Sequence, residues 1–287
     1  MQLQKKDIET TEVFNWQGTH LLHFNGSTCS KKIRIFLDYK GIDWISHHIN
    51  LIKRENNSDW FMGINPRGLV PVLVHNGAVH IESNDILSYL ETCCPSPVLI
   101  PENRTDELSS LFEIEDKLHL DLRNLTMRYT APSKLMLRTP TQLQQYQKAG
   151  KGTVAGQIDS HKAEELEYWQ TFANNHGITD EQAISSSHRF RIELKKLDNH
   201  LKTSEFLIGQ QITLADISWF VTINRLILTG YPLQTLHPFL WAWLQRLLAI
   251  PAFKKEAKAP LLQGLVAKVK FIRDSFKGKT LKQLLLV

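Results

Sequence analysis

Residues 69–81 read LVPVLVHNGAVHI. Two runs rich in β-branched residues flank Asn76-Gly77, a pair suited to a two-residue type I′ turn because both central positions need positive φ. The stretch therefore predicts an antiparallel hairpin. Pro71 has no N–H to give a ladder, so it marks an edge or a strand entry. A cis bond at Val70-Pro71 would turn the main-chain groups of Val70 toward a ligand instead of a neighbouring strand. Downstream, ESNDILSYLETCC (82–94) spaces Ile86, Leu87 and Leu90 for one face of a helix. Upstream, HLLHF (20–24) predicts a strand. Residues 30–40 predict a basic amphipathic helix with Ile33, Phe36 and Leu37 on one face and Gly41 at its stop. WISHHIN (44–50) predicts a second strand. SDWFMGINP (58–66) predicts a short helix capped by Ser58 and ended by Asn65-Pro66. The order is β-α-β and then β-β-α: a parallel crossover followed by a hairpin and a helix.

Past a proline-rich connector at 95–106 the period becomes helical. Leu111, Ile114, Leu118, Leu122 and Leu125 step by three and four, as do Phe190, Leu194, Leu197 and Leu201. Between about 130 and 180 the chain is Gln-rich and polar, with breakers at Pro132, Pro140, Gly150 and Gly152; this predicts a mobile insertion with helix around 158–175. The expected organisation is a polar extension at 1–17, a small α/β unit at 18–96, an all-α unit at 105–258 that carries the insertion, and a basic amphipathic tail at 259–287.

The 287 residues are 42% hydrophobic, enough for a sizeable core. No apolar run reaches the roughly 18–20 residues of a membrane span, and residues 1–17 lack the apolar stretch of a signal peptide. Three cysteines, two of them adjacent at 93 and 94, make no disulfide framework, which points to a reducing, cytoplasmic setting. No metal-ligand spacing occurs, so no metal is expected. The net charge is +5, and the tail from Lys258 onward holds seven Lys/Arg against Asp274 alone. The rest is close to neutral, so the chain does not read as a nucleic-acid binder. In the tail, Leu262, Leu265, Val266, Val269 and Ile272 keep helical spacing. The expected arrangement packs this stripe on the helical domain and leaves the lysines solvated. A weak, salt-sensitive contact with an anionic membrane surface is the alternative the basic residues allow.

Four places could carry chemistry. Ser27, Thr28 and Cys29 stand where the first strand turns into a helix. A helix start has free N–H groups and about half a positive charge, so it caps with a hydroxyl, lowers a thiol pKa, or holds a thiolate brought by a ligand. Cys29 is followed by Ser30, Lys31 and Lys32, so there is no CxxC and a dithiol oxidoreductase is disfavoured. Val70 and Pro71 form the second place. Glu82 and Ser83 form the third, where Ser83 sits at a capping position able to bind a carboxylate and Glu82 can pair with an ammonium. Thr213-x-x-Asp216 is a capping box with an acid in place of the usual Glu, and its reading is structural.

Together STCSKKIRIFLDYKGIDW, INPRGLVPVLVHNG, ESNDILSYLE and TLADI resemble the glutathione transferase superfamily. The first is similar to the zeta-class signature, although Lys31 stands where that signature has an aromatic residue. SDWFMGINPRG is also similar to bacterial glutathione-dependent β-etherases. DWFMGINPRGLVPVL, the long insertion and ISWFVTINRLILTG resemble the ganglioside-induced differentiation-associated protein branch. The resemblance implies a thioredoxin-like α/β domain followed by an all-helical domain, and a homodimer. It implies glutathione as co-substrate and a small electrophilic, apolar second substrate, as in detoxification. Ser27 would correspond to the zeta catalytic serine and Cys29 to the cysteine of the related reductive dehalogenases. Val70 and Pro71 would hold the cysteinyl part of glutathione, and Glu82 and Ser83 its γ-glutamyl end. A non-catalytic interaction module of the same fold and a Cys29-dependent thiol reductase are the competing readings.

Overall fold

The computed structural model describes residues 1–131 and 136–285; residues 132–135 of the insertion and 286–287 of the tail lie outside it. The chain divides into two compact units, one of residues 1–90 and 137–174, the other of residues 91–136 and 175–287.

The first unit is a four-stranded mixed sheet in the order β2-β1-β3-β4. β1 is Thr19–His23, β2 Ile45–His48, β3 Val72–His75 and β4 Ala78–His80. β1 runs parallel to β2 through the crossover helix α1 (Thr28–Lys40) and antiparallel to β3. α1 stops as expected: Gly41 takes φ 66° and its N–H returns to the carbonyls of Asp38 and Leu37. The short helix α2 (Asp59–Met62) is capped by Ser58, whose hydroxyl accepts from Phe61 N–H. The β3–β4 hairpin turns at Asn76 (φ 49°) and Gly77 (φ 78°), the double positive φ of a type I′ turn. A Cβ on Gly77 would lie 2.4 Å from the carbonyl oxygen of Phe14, so only glycine fits. Leu22, Val72, Val74, Val79 and Ile81 cluster on one face of this unit with Phe61 and Ile64. α3 (Ser83–Cys93) follows.

Two segments depart from the expected organisation. The polar extension 1–17 contributes Leu3, Ile8 and Val13 to the same core cluster. Leu3 N–H donates to Val79 O and Gln2 bridges His80, so the extension covers the open edge of β4. The insertion, expected within the helical domain, has residues 137–174 in the first unit. Its hairpin, described with the site below, is held by Asp7, which accepts from Thr153 Oγ1 at 2.8 Å and from Gly156 N–H at 3.0 Å. Periodicity could not show this attachment, because each partner lies some distance along the chain.

The second unit is all-helical: α4 (Thr105–Lys117), α5 (His119–Tyr129), and, after the insertion helices α6 (Pro140–Lys148) and α7 (His161–Asn174) of the first unit, α8 (Asp180–His200), α9 (Leu214–Leu228), α10 (Leu233–Leu236), α11 (Pro238–Leu248), α12 (Pro251–Ala257), α13 (Leu261–Phe276) and α14 (Leu281–Leu285). Trp219, Phe220 and Ile223 of α9, Trp243 and Leu247 of α11, and Phe190 and Leu194 of α8 are buried. Asp216 organises the start of α9. Its carboxylate accepts from Thr213 N–H and Oγ1–H (2.8 Å each), Leu207 N–H (3.0 Å) and Trp243 Nε1–H (2.8 Å). Burial pushes its carboxyl pKa up, and these bonds pull the other way. The tail reverses its expected arrangement: Leu262, Leu265, Val269 and Ile272 of α13 face outward, not onto the helical domain.

Asp216→Ala leaves four buried donors without their acceptor, so it should lower unfolding free energy by about 3 kcal/mol or more. Urea unfolding checks this; an unchanged midpoint would contradict the capping role.

Candidate functional site

Register decides which residues meet. Leu22 of β1 pairs with Val72 of β3, and Leu73 of β3 pairs with His80 of β4. The end of β1, the entry to β3 and the exit of β4 therefore lie at one end of the sheet. Those three points are where the sequence put Ser27 and Cys29, Val70 and Pro71, and Glu82 and Ser83. The peptide bond at Val70-Pro71 is cis.

Ser27 is the N-cap of α1: its hydroxyl oxygen accepts from Ser30 N–H at 3.2 Å. A hydroxyl that accepts with a lone pair still carries its proton. Capping therefore does not remove the ability of Ser27 to donate to an anion beside the helix start. Cys29 lies in the first turn of α1, half-buried and not in a disulfide. At α3 the boundary shifts by one residue from expectation. Glu82, with φ 64°, is the residue whose carbonyl accepts the first helical bond, from Ile86 N–H at 2.8 Å, and Ser83 is the first helical residue. Ser83 thus brings its own N–H into the free first turn.

Three further groups at this end were not singled out in the sequence. Lys32 of α1 is buried, and its ammonium donates to Asn84 Oδ1 at 3.1 Å, beside Ser83. Arg67 donates to Glu82 Oε1 at 2.5 Å and forks onto Asp159 at 3.0 and 2.6 Å. Burial alone would lower the Arg67 pKa; the bonds to Asp159 and Glu82 outweigh it and hold the guanidinium above its ordinary value. Asp159 belongs to the insertion and follows its hairpin β5 (Thr153–Val154) and β6 (Gln157–Ile158). Tyr146 of α6 donates to Arg67 O at 2.9 Å. Asn65-Pro66 marks only the end of the preceding helix, and no sequence signal ties Arg67 to a carboxylate 92 residues away. The basic face expected outside α1 is also revised, since Lys31, Lys32 and Arg34 are all buried.

Arg34 fixes the proton of a histidine beside the site. Its Nη1 lies 3.0 Å from His23 Nδ1, while His23 Nε2 lies 2.7 Å from Ser46 Oγ. A guanidinium only donates, so Nδ1 accepts and Nε2 carries the proton. Burial first, then the charge of Arg34 and the neighbouring His48 and His47, lowers the His23 pKa to about 4. Among the described residues no group of three or more His, Cys, Asp or Glu is placed to hold a metal ion.

The arrangement is two helix starts that favour anions, one cation beside the second of them, and one carboxylate, Glu82, with its side chain 42% exposed. Such a set suits a zwitterionic end and a sulfur-centred anion on one small molecule. It belongs to a two-domain fold of known type. Residues 26–93 match the family model for the glutathione S-transferase N-terminal domain and residues 193–246 that for its C-terminal domain. In both segments, and in their order, the chain is similar to glutathione S-transferases. It is 38% identical over 87 residues to glutathione S-transferase 1 of Dianthus caryophyllus, a match covering 30% of this chain and 39% of the relative. It is 40% identical over 77 residues to maleylacetoacetate isomerase of Pseudomonas aeruginosa, covering 26% and 36%. The chain thus spans less than half the length of these relatives. Protein LigF of Sphingobium sp. is 26% identical over 245 residues, which is 82% of this chain and 91% of that protein. The crystal structure of the beta-etherase LigF superposes with a TM-score of 0.66 at 25% identity, covering 83% of this chain and 98% of that one.

The histidine geometry is checked by titration. The His23 ring should titrate in NMR spectra with a midpoint near 4; a midpoint at the ordinary value would contradict the burial of the ring beside Arg34. An unfolded histidine takes up its proton near 6.5, so the unfolded state binds more protons between 6.5 and 4. Stability from this site is complete above that window and falls as pH drops through it, by at most about 3 kcal/mol.

Proposed function

We propose that this protein is a glutathione-dependent enzyme that activates the glutathione thiol for attack on a small electrophile. The observation that carries the reading is the register of β1, β3 and β4, which supports a shared location for Ser27, Val70 and Ser83 at one end of the sheet. In this reading Ser83 and the free N–H groups of α3 hold the γ-glutamyl carboxylate, with Lys32 nearby. Glu82 takes the γ-glutamyl ammonium, which competes with Arg67 for its carboxylate. The main chain of Val70 pairs with the cysteinyl residue, and Pro71 offers no donor there. The thiol loses its proton to solvent, and the thiolate rests at the start of α1, where Ser27 O–H donates to it. The thiolate then forms the C–S bond, and the leaving group departs with its electron pair. The likeness to the beta-etherase LigF over most of both chains favours ether cleavage first, ahead of conjugation, isomerisation or dehalogenation. A Cys29-dependent thiol reductase is the second reading, favoured by the place of Cys29 in the first turn of α1. A cytoplasmic homodimer with a detoxifying role completes the proposal.

Calorimetry should detect glutathione binding to the wild type and weaker binding to Ser83→Ala. Millimolar glutathione that gives neither heat nor thermal shift would sink the reading. Ser27→Ala should lose turnover of β-aryl ethers or activated halides by about a hundredfold or more while keeping glutathione affinity. If Cys29→Ser abolishes turnover and Ser27→Ala spares it, the reductase mechanism takes its place. Binding with no turnover of any electrophile would leave a non-catalytic module. Light scattering that finds only monomer at micromolar concentration would remove the dimer.

A further inference from the structure

α13 is built inside out. Its inward side is polar: Asp274 is buried and accepts from Arg128 Nη1 at 3.2 Å, and Gln263 Nε2 donates to Thr130 Oγ1 at 3.2 Å. The Lys270 ammonium donates to Arg128 O at 2.9 Å and to Ala131 O, at the carbonyl-rich end of α5. Ala267 is the buried apolar residue of the helix. Its outward side carries Leu261, Leu262, Leu265, Val269, Ile272 and Phe276, exposed by 88, 63, 60, 66, 55 and 89%. At about 100° per residue these six fall in one stripe about 100° wide. Polar bonds to α5, not burial of apolar surface, set the direction in which the stripe points. An apolar face of this size left in water is unfavourable unless something covers it.

The charges at its edges select the cover. Lys268 borders the stripe on one side and Arg273 on the other, with Lys277 just beyond the last turn; all three are exposed. The one acid on α13 is Asp274, which is buried and bonded to Arg128 and Arg273. Two copies packed stripe to stripe would set these cations against each other with no carboxylate on the helix to pair them. We propose that α13 lies on the surface of an anionic lipid bilayer, with its six apolar side chains at the headgroup–acyl boundary and Lys268, Arg273 and Lys277 at the lipid phosphates. No described helix is long and apolar enough to cross a membrane, which fits a helix that lies in the interface. The placement depends on α13 and α5 alone and is independent of the glutathione reading.

Flotation of the full chain with phosphatidylcholine vesicles, with and without phosphatidylserine, tests it. Binding should require phosphatidylserine and weaken as salt rises. Leu265→Glu/Ile272→Glu should weaken it about tenfold or more while the melting temperature holds, because both positions are exposed. Lys268→Glu/Lys277→Glu should weaken it and flatten the salt dependence. Absence of the wild type from phosphatidylserine vesicles overturns the proposal, as does equal binding to neutral vesicles. A wild-type dimer that Leu265→Glu/Ile272→Glu disperses overturns it also, and assigns the face to a second copy.

Discussion

The pairing of Leu22 with Val72 is the constraint on which the first unit rests. Strand side chains alternate, so a slip of one residue would send Leu22, Val72 and Val74 from the core face to the other face. The same register fixes which chain ends meet, because the end of β1, the entry to β3 and the exit of β4 stop at one level. Core packing and the shared level of these three chain ends are thus set by one choice of pairing. The hairpin enforces that choice locally, since Asn76 and Gly77 tolerate the positive φ that the two-residue turn demands.

Around this sheet, parts distant in sequence are attached by a few polar groups, Asp7 buried and the others half-buried. Asp7 ties the N-terminal extension to the insertion hairpin, and Arg67 ties the insertion, through Asp159, to Glu82. Asp7 and Asp159 each have more than one donor, as a charge taken out of water needs if its desolvation is to be offset. Glu82 differs in that its side chain keeps a large exposed fraction, so a ligand ammonium can reach it without unpacking the unit.

What could be read in the sequence follows from range. The hairpin, the Gly41 stop, the Ser58 cap and the Thr213–Asp216 box each depend on residues within a few positions, and each is where the pattern put it. Arg67 with Asp159, Lys32 with Asn84, and the extension along β4 depend on neighbours that only the folded chain supplies. The basic residues of α1 belong with these, since charge in an amphipathic pattern gives no hint that Lys31, Lys32 and Arg34 are buried. α13 shows a different limit. Spacing revealed its apolar stripe correctly, but a period is the same whether the stripe points in or out. The direction came from Asp274 and Lys270, whose partners on and just after α5 lie well over a hundred residues earlier.

Helix starts show the same ambiguity and how burial resolves it. α1, α3 and α9 all begin with residues of capping type; by sequence the first two could cap or bind, and the third reads as structural. At α9 the first turn is closed by its own chain: Asp216 is fully buried and takes donors from Thr213, Leu207 and Trp243, so no ligand atom can approach. At α1 and α3 the first turns stand at the end of a sheet, with Ser27 and Glu82 both half-buried. The same backbone polarity serves stability where side chains seal it and is available for recognition where they do not. What separates the two uses is access, which is set by the tertiary structure around each helix start and not by the residues that begin it.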